Sequence, residues 1–412
     1  MSADMPMKFL IRKSIHRQRP EEGKMSPWKS EFGYCFSHGR EMFEVQCDIA
    51  GIDRYDHFRV RFSPDNGNSW GEPQEIFTAT EHSGDVRRYC ELFQNLENNS
   101  NAVFRLYLDG IYQNDLIDKT EGSRTFRQNC RVMAQYSHDG GRNFSPPEDI
   151  TQLYHEQTGH QDERLFLSCS HLCSLADGTF LVPLAIRDAA GKTIRGLVMK
   201  GEHLPSIDKT RWRFSEPFSR GEAGMDYHLT EGSLAQLPDG RILAVYRADP
   251  VGGMRSPHQN WVKFISSSSD GGISWEAPTI LRYADGTPLC SPASMARLVF
   301  LQGKLFLLGN IYGRDLPEEI TPFQSRNSLS MIEIDTDSLT PVEKTLTVID
   351  ERSPENNPSL ALSNFTLLHD RERGGILIAC PMVFAHQETL TDCRLMLYHV
   401  TPTGNQENEL SS

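Results

Sequence analysis

One eight-residue pattern occurs three times in this chain of 412 residues and restricts its fold more than any other feature. It reads Ser-x-Asp-x-Gly-x-x-aromatic, occupies residues 63–70, 137–144 and 268–275, and is followed each time by a nearby proline. The aspartate can accept backbone N–H groups of a tight turn, the glycine can adopt the positive φ such a turn needs, and the aromatic ring can pack beneath it. The pattern therefore predicts a repeated β-hairpin whose aspartates are structural rather than catalytic.

A second repeated element is a strand, a tight turn and another strand, with turns at residues 177–178, 239–240 and 302–303. The first two turns are Asp-Gly, which is the strongest short hairpin signal. Short apolar stretches recur between such turns, and none keeps an apolar period of 3.6 residues for long. The chain is therefore expected to be all-β.

Placed in order, the two elements predict a six-bladed β-propeller. Its blades are expected near residues 30–75, 86–150, 165–220, 229–280, 290–347 and 360–402. The chain is thus expected to divide into an N-terminal segment at residues 1–28, the propeller at residues 29–404 and a polar C-terminal tail at residues 405–412.

Charge and composition exclude several classes of partner. The net charge of -13 argues against nucleic acid and anionic membrane surfaces, which both require an excess of Lys and Arg. No apolar stretch reaches the ~18 residues of a membrane span. No spacing of His, Asp and Glu predicts a metal site, and no Gly-rich turn predicts a nucleotide cofactor. The nine cysteines are odd in number and scattered, so we expect reduced thiols and a cytoplasmic protein.

The loops on the propeller face opposite the repeated turns are the expected position of a site. Residues about eight positions before or after the strand–turn–strand turns should reach that face: Cys169, His171, Glu231, Ser291, Ser294, Asn364, Arg187, Arg247 and Asn310. Two arginines and a glutamate in one channel mouth favour an anionic ligand, because a guanidinium pairs with a carboxylate through two hydrogen bonds. The alternative is a set of solvated rim charges or ion pairs between blades.

The octapeptide resembles the Asp-box of sialidases and related BNR-repeat propellers. The segment Thr230-Glu231-Gly232-Ser233, continuing through a Leu-Pro-Asp-Gly-Arg turn to Arg247, is similar to a sialidase segment. The resemblance implies that Glu231 deprotonates a nucleophilic tyrosine and that Arg247 and Arg326 hold the carboxylate of a sialic acid. It also implies an acid/base aspartate before the first Asp-box, where this chain has Asp53 and Asp56.

Two parts of the sialidase pattern are absent. The stretch at residues 32–36 contains no arginine, and the stretch at residues 361–365 contains no tyrosine. Covalent catalysis would have to recruit Tyr227, Tyr246 or Tyr312. Three functions therefore stay open: a sialidase-like exo-glycosidase acting on an acidic sugar, a lyase or hydrolase for a uronate that uses His171, His228 or a tyrosine, and a propeller that binds glycans without catalysis.

Overall fold

Six antiparallel sheets follow one another along the chain and form the six blades of a β-propeller. The computed structural model describes residues 6–18, 26–51, 54–78, 86–96, 101–111, 131–167, 169, 171–205, 209–218, 221–222, 225–251, 261–314, 324–353, 360–384 and 394–403. The all-β fold and the count of six blades that the repeats predict are confirmed.

The first described strand, β1 (Lys8–Gln18), belongs to the last blade. Blade 1 consists of β2 (Ser26–Tyr34), β3 (Met42–Gly51), β4 (Arg54–Ser63) and β5 (Gln74–Thr78). Blade 2 consists of β6 (Val86–Asn95), β7 (Val103–Ile111), β8 (Arg131–Ser137) and β9 (Glu148–Asp149), and the helix α1 (Ile150–Thr158) follows it. Blade 3 consists of β10 (Arg164–Phe166), β11 (Cys173–Ser174), β12 (Phe180–Arg187), β13 (Ile194–Leu204) and β14 (Lys209–Phe214).

The second half of the chain repeats this plan. Blade 4 consists of β15 (Gly221–Glu222), β16 (Met225–Gln236), β17 (Ile242–Pro250), β18 (Lys263–Ser268) and β19 (Thr279–Ile280). Blade 5 consists of β20 (Ala296–Leu301), β21 (Lys304–Gly309), β22 (Ser328–Ile334) and β23 (Thr347–Glu351), with 3₁₀ turns at Gln324–Arg326 and Glu343–Thr345. Blade 6 consists of β24 (Leu360–Leu362), β25 (Thr366–Asp370), β26 (Gly375–Phe384) and β27 (Arg394–Thr403), and β1 pairs with β27 as its outermost strand. No helix among these residues is long and apolar enough to cross a membrane.

Strand β1 closes the ring, so the propeller includes residues that the sequence assigned to an N-terminal segment. It runs antiparallel to β27 from Lys8 opposite Thr403 to Gln18 opposite Arg394. Its outward side chains are exposed, and no Asp-Gly turn or Asp-box flanks it, which is why the hairpin pattern did not reveal it. The propeller therefore begins before the expected boundary at residue 29.

Each Asp-box forms the tight turn that its sequence predicts. In the third copy the Asp270 carboxylate accepts the backbone N–H of Ser274 at 2.9 Å, and the Ser268 hydroxyl accepts the N–H of Gly272 at 2.9 Å. Gly272 has φ 86°, and the Trp275 indole donates to its carbonyl oxygen at 3.2 Å. The structural role expected for these aspartates follows from this geometry.

The two kinds of turn lie on one face of the propeller. Lys200 shows this directly, since its Nζ is 3.0 Å from the carbonyl oxygen of Gly271 in an Asp-box and 3.7 Å from the Asp177 carboxylate in a strand–turn–strand hairpin. The starts of the inner strands and the ends of the second strands therefore lie at the opposite end of the central channel. We call that end the mouth.

Candidate functional site

Glu231 and Arg247 meet at the mouth on blade 4. Glu231 lies in β16 at a break in register between Thr230 and Ser233, and its φ is 49°. A positive φ is rare for a residue with a β-carbon and is typical of strained functional positions. Arg247, near the end of β17, donates from Nη1 to Oε1 of Glu231 at 2.9 Å. The bulge thus turns the glutamate onto the arginine of the next strand.

The same guanidinium also holds Asp249. Nε of Arg247 is 2.9 Å from Oδ2 of Asp249, and Nη2 is 3.4 Å from Oδ1. Burial lowers the pKa of Arg247, but the two carboxylates outweigh burial and raise it above its usual value. Arg247 is therefore a permanent cation that is already shared between two carboxylates of the chain.

Glu231 keeps one oxygen without a protein partner. Oε2 makes no hydrogen bond with any described residue, although the side chain is only 11% exposed. The following residue, Gly232, permits the bulge, because a β-carbon there would lie 2.6 Å from the Tyr246 ring. A buried carboxylate oxygen without a donor is costly in a folded protein and is a candidate acceptor for a ligand.

Lys263 is fully buried and interacts electrostatically with Arg247, Glu231 and Asp249. Its Nζ donates to the carbonyl oxygens of Pro292 and Ser294, both at 2.6 Å, while Nη2 of Arg326 donates to the intervening carbonyl of Ala293 at 2.7 Å. The side chains of Lys263 and Arg326 thus hold the segment that leads into blade 5. Burial and the Arg247 charge lower the pKa of Lys263 to about 7, against the opposing effect of Glu231 and Asp249.

Arg187 and Asn364 lie at the corresponding ends of blades 3 and 6. Arg187 ends β12 and is half-buried, and its side chain makes no hydrogen bond or ion pair with another described side chain. Asn364 lies between β24 and β25 with φ 59°, and its side chain makes no hydrogen bond within the described chain. Both side chains are therefore available to a ligand at the mouth.

His171 and Asn310 occupy different environments. His171 lines a cavity of about 380 Å³ deeper in the channel together with Arg297, and its Nε2 accepts the N–H of Leu234 at 3.3 Å. Burial and Arg297 lower the pKa of His171 well below its usual value, so the ring is neutral. Asn310 is buried, and its Nδ2 joins blades 5 and 6 by donating to the carbonyls of Ser328 and Leu362. These contacts hold Asn310 between the two blades, while its Oδ1 makes no hydrogen bond within the described chain, so its role in substrate binding stays a prediction.

The two candidate acid residues, Asp53 and Asp56, precede the first Asp-box. Asp53 lies outside the described residues, and Asp56 lies in β4, whose side chain at this position is not described. Their role as acid/base stays a prediction. Within the described residues, no three His, Cys, Asp or Glu side chains are placed to hold a metal ion.

The family model described as "BNR repeat-like domain" matches residues 53–357, about three quarters of the chain. The protein belongs to the BNR repeat-like family. This result confirms the resemblance that the Asp-boxes indicate.

Solved structures share the fold of this BNR repeat-like protein at low sequence identity. The intramolecular trans-sialidase of leech aligns with a TM-score of 0.58, 12% identity, and coverage of 91% of this chain and 68% of its own. The intramolecular trans-sialidase of Ruminococcus gnavus aligns with a TM-score of 0.54 and 12% identity, covering 91% of this chain and 94% of its own. The α-L-arabinanase of Penicillium chrysogenum aligns with a TM-score of 0.55 and 10% identity, covering 96% of this chain and 98% of its own. No curated protein matches the sequence. At these identities the alignments establish the propeller fold.

In this BNR repeat-like propeller, none of the three candidate tyrosines donates to Glu231. Tyr246 donates to the carbonyl of Leu197 at 3.3 Å, and Tyr312 donates to the carbonyl of Ser325. Burial raises the pKa of both hydroxyls. Tyr227 is buried in the core between blades 3 and 4. The described part of the site therefore lacks the tyrosine–glutamate pair that the sialidase resemblance implies.

Sequence reasoning missed Asp249 and Lys263. Both carried a usable signal: Asp249 is two residues after Arg247 and so lies on the same side of β17, and Lys263 is a lone lysine within an otherwise apolar strand start. A lysine is almost never fully buried unless it is paired. A lone lysine between apolar residues of a buried strand therefore indicates a specific partner.

Proposed function

We propose that this protein is a glycosidase that acts on a carboxylate-bearing sugar at the mouth of its propeller. The observation that supports the proposal most strongly is Glu231, which is held at positive φ with Oε1 on Arg247 and Oε2 without a partner in the described chain. A carboxylate with one anchored and one available oxygen can accept a proton from, or attack, a sugar positioned above it.

Glycoside hydrolysis commonly uses two carboxylates with different environments. Asp249 is the second described carboxylate on the same guanidinium, and its side chain is 32% exposed compared with 11% for Glu231. Asp53 and Asp56 are the further candidates for the acid. The buried carboxylate is assigned the nucleophile or base role, and the acid is one of the more exposed aspartates.

The charge of the mouth supports an acidic sugar. Arg187, Arg247 and Arg326 contribute three guanidinium groups, whereas Glu231 and Asp249 contribute two carboxylates. Arg187 makes no ion pair with a described side chain, although the charge of Asp188 acts on it. A sugar carboxylate could pair with the guanidinium of Arg187 through two hydrogen bonds.

The experiment is a comparison of glycoside cleavage by the wild type and Glu231→Gln. The substrates are 4-methylumbelliferyl glycosides of N-acetylneuraminic acid, glucuronic acid and L-arabinofuranose. We expect release from an acidic glycoside, and loss of at least a hundredfold in kcat with a similar KM in Glu231→Gln. Cleavage of the arabinofuranoside alone would contradict the acidic substrate, and full activity of Glu231→Gln would contradict the role of Glu231.

Glycan binding without hydrolysis is the second candidate, and the tyrosine arrangement favours it. A glutamate held by an arginine, with no tyrosine hydroxyl on it, lacks the nucleophile of the sialidase pair. In that case acidic sugars bind to the wild type and to Glu231→Gln, and no glycoside is cleaved by either protein.

A further inference from the structure

Blade 3 places two arginines directly opposite each other at the mouth. Arg164 in β10 and Arg187 in β12 are partners in the antiparallel register of these strands. Directly opposite residues of an antiparallel pair have side chains on the same face of the sheet, with Cβ atoms ~4.5–5.5 Å apart. The side chains of Arg164 and Arg187 therefore leave the sheet on the same face.

The charge of Arg164 disfavours the charge of Arg187. Like charges directly opposite each other on neighbouring strands repel. Arg187 is also half-buried, and burial together with the Arg164 charge lowers the pKa of Arg187, with Asp188 only partly opposing them. Arg187 therefore carries its positive charge although both its partial burial and the charge of Arg164 disfavour it.

The nearby carboxylates are already engaged elsewhere. Asp188 accepts the N–H of Lys192 at 2.8 Å and the hydroxyl of Thr193, which closes the turn after β12. Glu163 pairs with Arg195 at 2.7 Å. Arg247, by contrast, contacts two carboxylates of its own blade. Among the arginines that the sequence places at the mouth, Arg187 differs from Arg247 in having no acceptor within the described residues.

We propose that Arg187 and Arg164 together receive the carboxylate of the sugar ligand. The identity of the ligand rests on the proposed function, whereas the anion site rests on the paired arginines alone. A carboxylate between them would accept hydrogen bonds from both guanidinium groups and cancel their repulsion. The assignment moves carboxylate recognition from Arg247, where the sialidase resemblance puts it, to blade 3.

The test combines ligand affinity with stability, using Arg187→Gln, Arg187→Lys and the matched control Arg211→Gln. Arg211 lies on the outer strand of the same blade, is 58% exposed and pairs with Glu202. Isothermal titration with glucuronic acid, N-acetylneuraminic acid and galactose should show that acid sugars bind the wild type and Arg211→Gln equally. Arg187→Gln should bind them at least tenfold more weakly, Arg187→Lys should fall between, and none should bind galactose.

Thermal unfolding of the same proteins supplies a readout that a merely structural arginine would not produce. Without ligand, Arg187→Gln should unfold at or above the wild-type temperature, since the repulsion is gone. Glucuronic acid should raise the unfolding temperature of the wild type and of Arg211→Gln but not that of Arg187→Gln.

Three results overturn the assignment: no acid sugar binds the wild type, Arg187→Gln binds acid sugars as the wild type does, or galactose binds with the same affinity. The same experiments distinguish this assignment from the glycosidase proposal. If acid sugars bind through Arg187 but no glycoside is cleaved, the hydrolytic function is wrong and the anion site stands. If an acidic glycoside is cleaved with unchanged KM by Arg187→Gln, the anion site is wrong and the hydrolytic function stands.

Discussion

Replacing Lys263 by methionine should change the pH dependence of stability. Lys263 is fully buried, and its folded-state pKa is about 7 compared with 10.5 for an ordinary lysine. Between these two values the unfolded chain binds the proton and the folded chain does not. The free energy of unfolding therefore rises with pH across this window, because stability increases wherever the unfolded state binds more protons.

The size of the effect follows from the two pKa values. Each pH unit inside the window is worth ~1.36 kcal/mol for one group, reduced near the lower limit where the folded protein is half protonated. Between pH 7 and pH 9 the wild type should gain about 2 kcal/mol from Lys263. Methionine removes this contribution, while it also leaves the carbonyls of Pro292 and Ser294 without their donor. The second loss is the same at every pH, so only the first changes the slope.

The measurement is urea unfolding of the wild type and Lys263→Met at half-unit steps from pH 6 to pH 9. The control is Lys209→Met, which removes an exposed lysine at the start of β14. The stability difference between the wild type and Lys263→Met should change by about 2 kcal/mol between pH 7 and pH 9 in favour of the wild type, while the control difference stays constant. A pH-independent difference for Lys263→Met would show that the buried lysine keeps its charge throughout.

Three further predictions concern the scaffold, the charge cluster and the thiols. Trp275→Ala should destabilise the protein by about 3 kcal/mol in urea unfolding, because the ring packs edge-on against Phe218 at 5.4 Å, and should leave the affinity for acid sugars unchanged. Asp249→Asn removes a carboxylate that raises the pKa of Lys263, so the pH at which the free energy of unfolding begins to rise should move to a more acidic value in urea unfolding. An unchanged pH for the start of this rise would contradict the coupling of Asp249 and Lys263. We propose a cytoplasmic location, for which intact-mass measurement without reductant should find reduced cysteines, and two or more disulfides would refute it.

Much of the fold is predictable because its turns depend on local chemistry. An Asp-box specifies its own hydrogen bonds over eight residues, so three copies and the Asp-Gly hairpins suffice to locate six blades. Strand β1 has no such local signal, since it is stabilised by pairing with β27 nearly four hundred residues away in the sequence. Ring closure is a long-range contact that a search for repeated turns does not detect.

The site is less predictable because strand position determines the end of a blade but not what the neighbouring blade presents. Glu231 and Arg247 were expected at one mouth, and the structure pairs them. Asn310 occupies an equivalent strand end, yet its amide bonds to two carbonyls of blades 5 and 6. The lone lysine in β18 indicates a partner, but its acceptors, Pro292 and Ser294, lie in the segment that leads into blade 5, far from Lys263 in the sequence. These contacts depend on packing between blades, for which the sequence contains no local pattern.

The charged side chains of the Asp-box turns differ from those at the mouth in how fully they are hydrogen-bonded within the chain. Despite some burial, several hydrogen bonds within the turn lower the pKa of Asp139 and of Asp270 to about 2, so these carboxylates need nothing from outside the chain. At the mouth, Oε2 of Glu231 has no donor and Arg187 has no acceptor among the described residues. A carboxylate-bearing sugar carries both missing groups, since its hydroxyls can donate to Glu231 and its carboxylate can accept from Arg187. One ligand of this class would therefore satisfy two unpaired groups that the folded chain leaves at the same end of its channel.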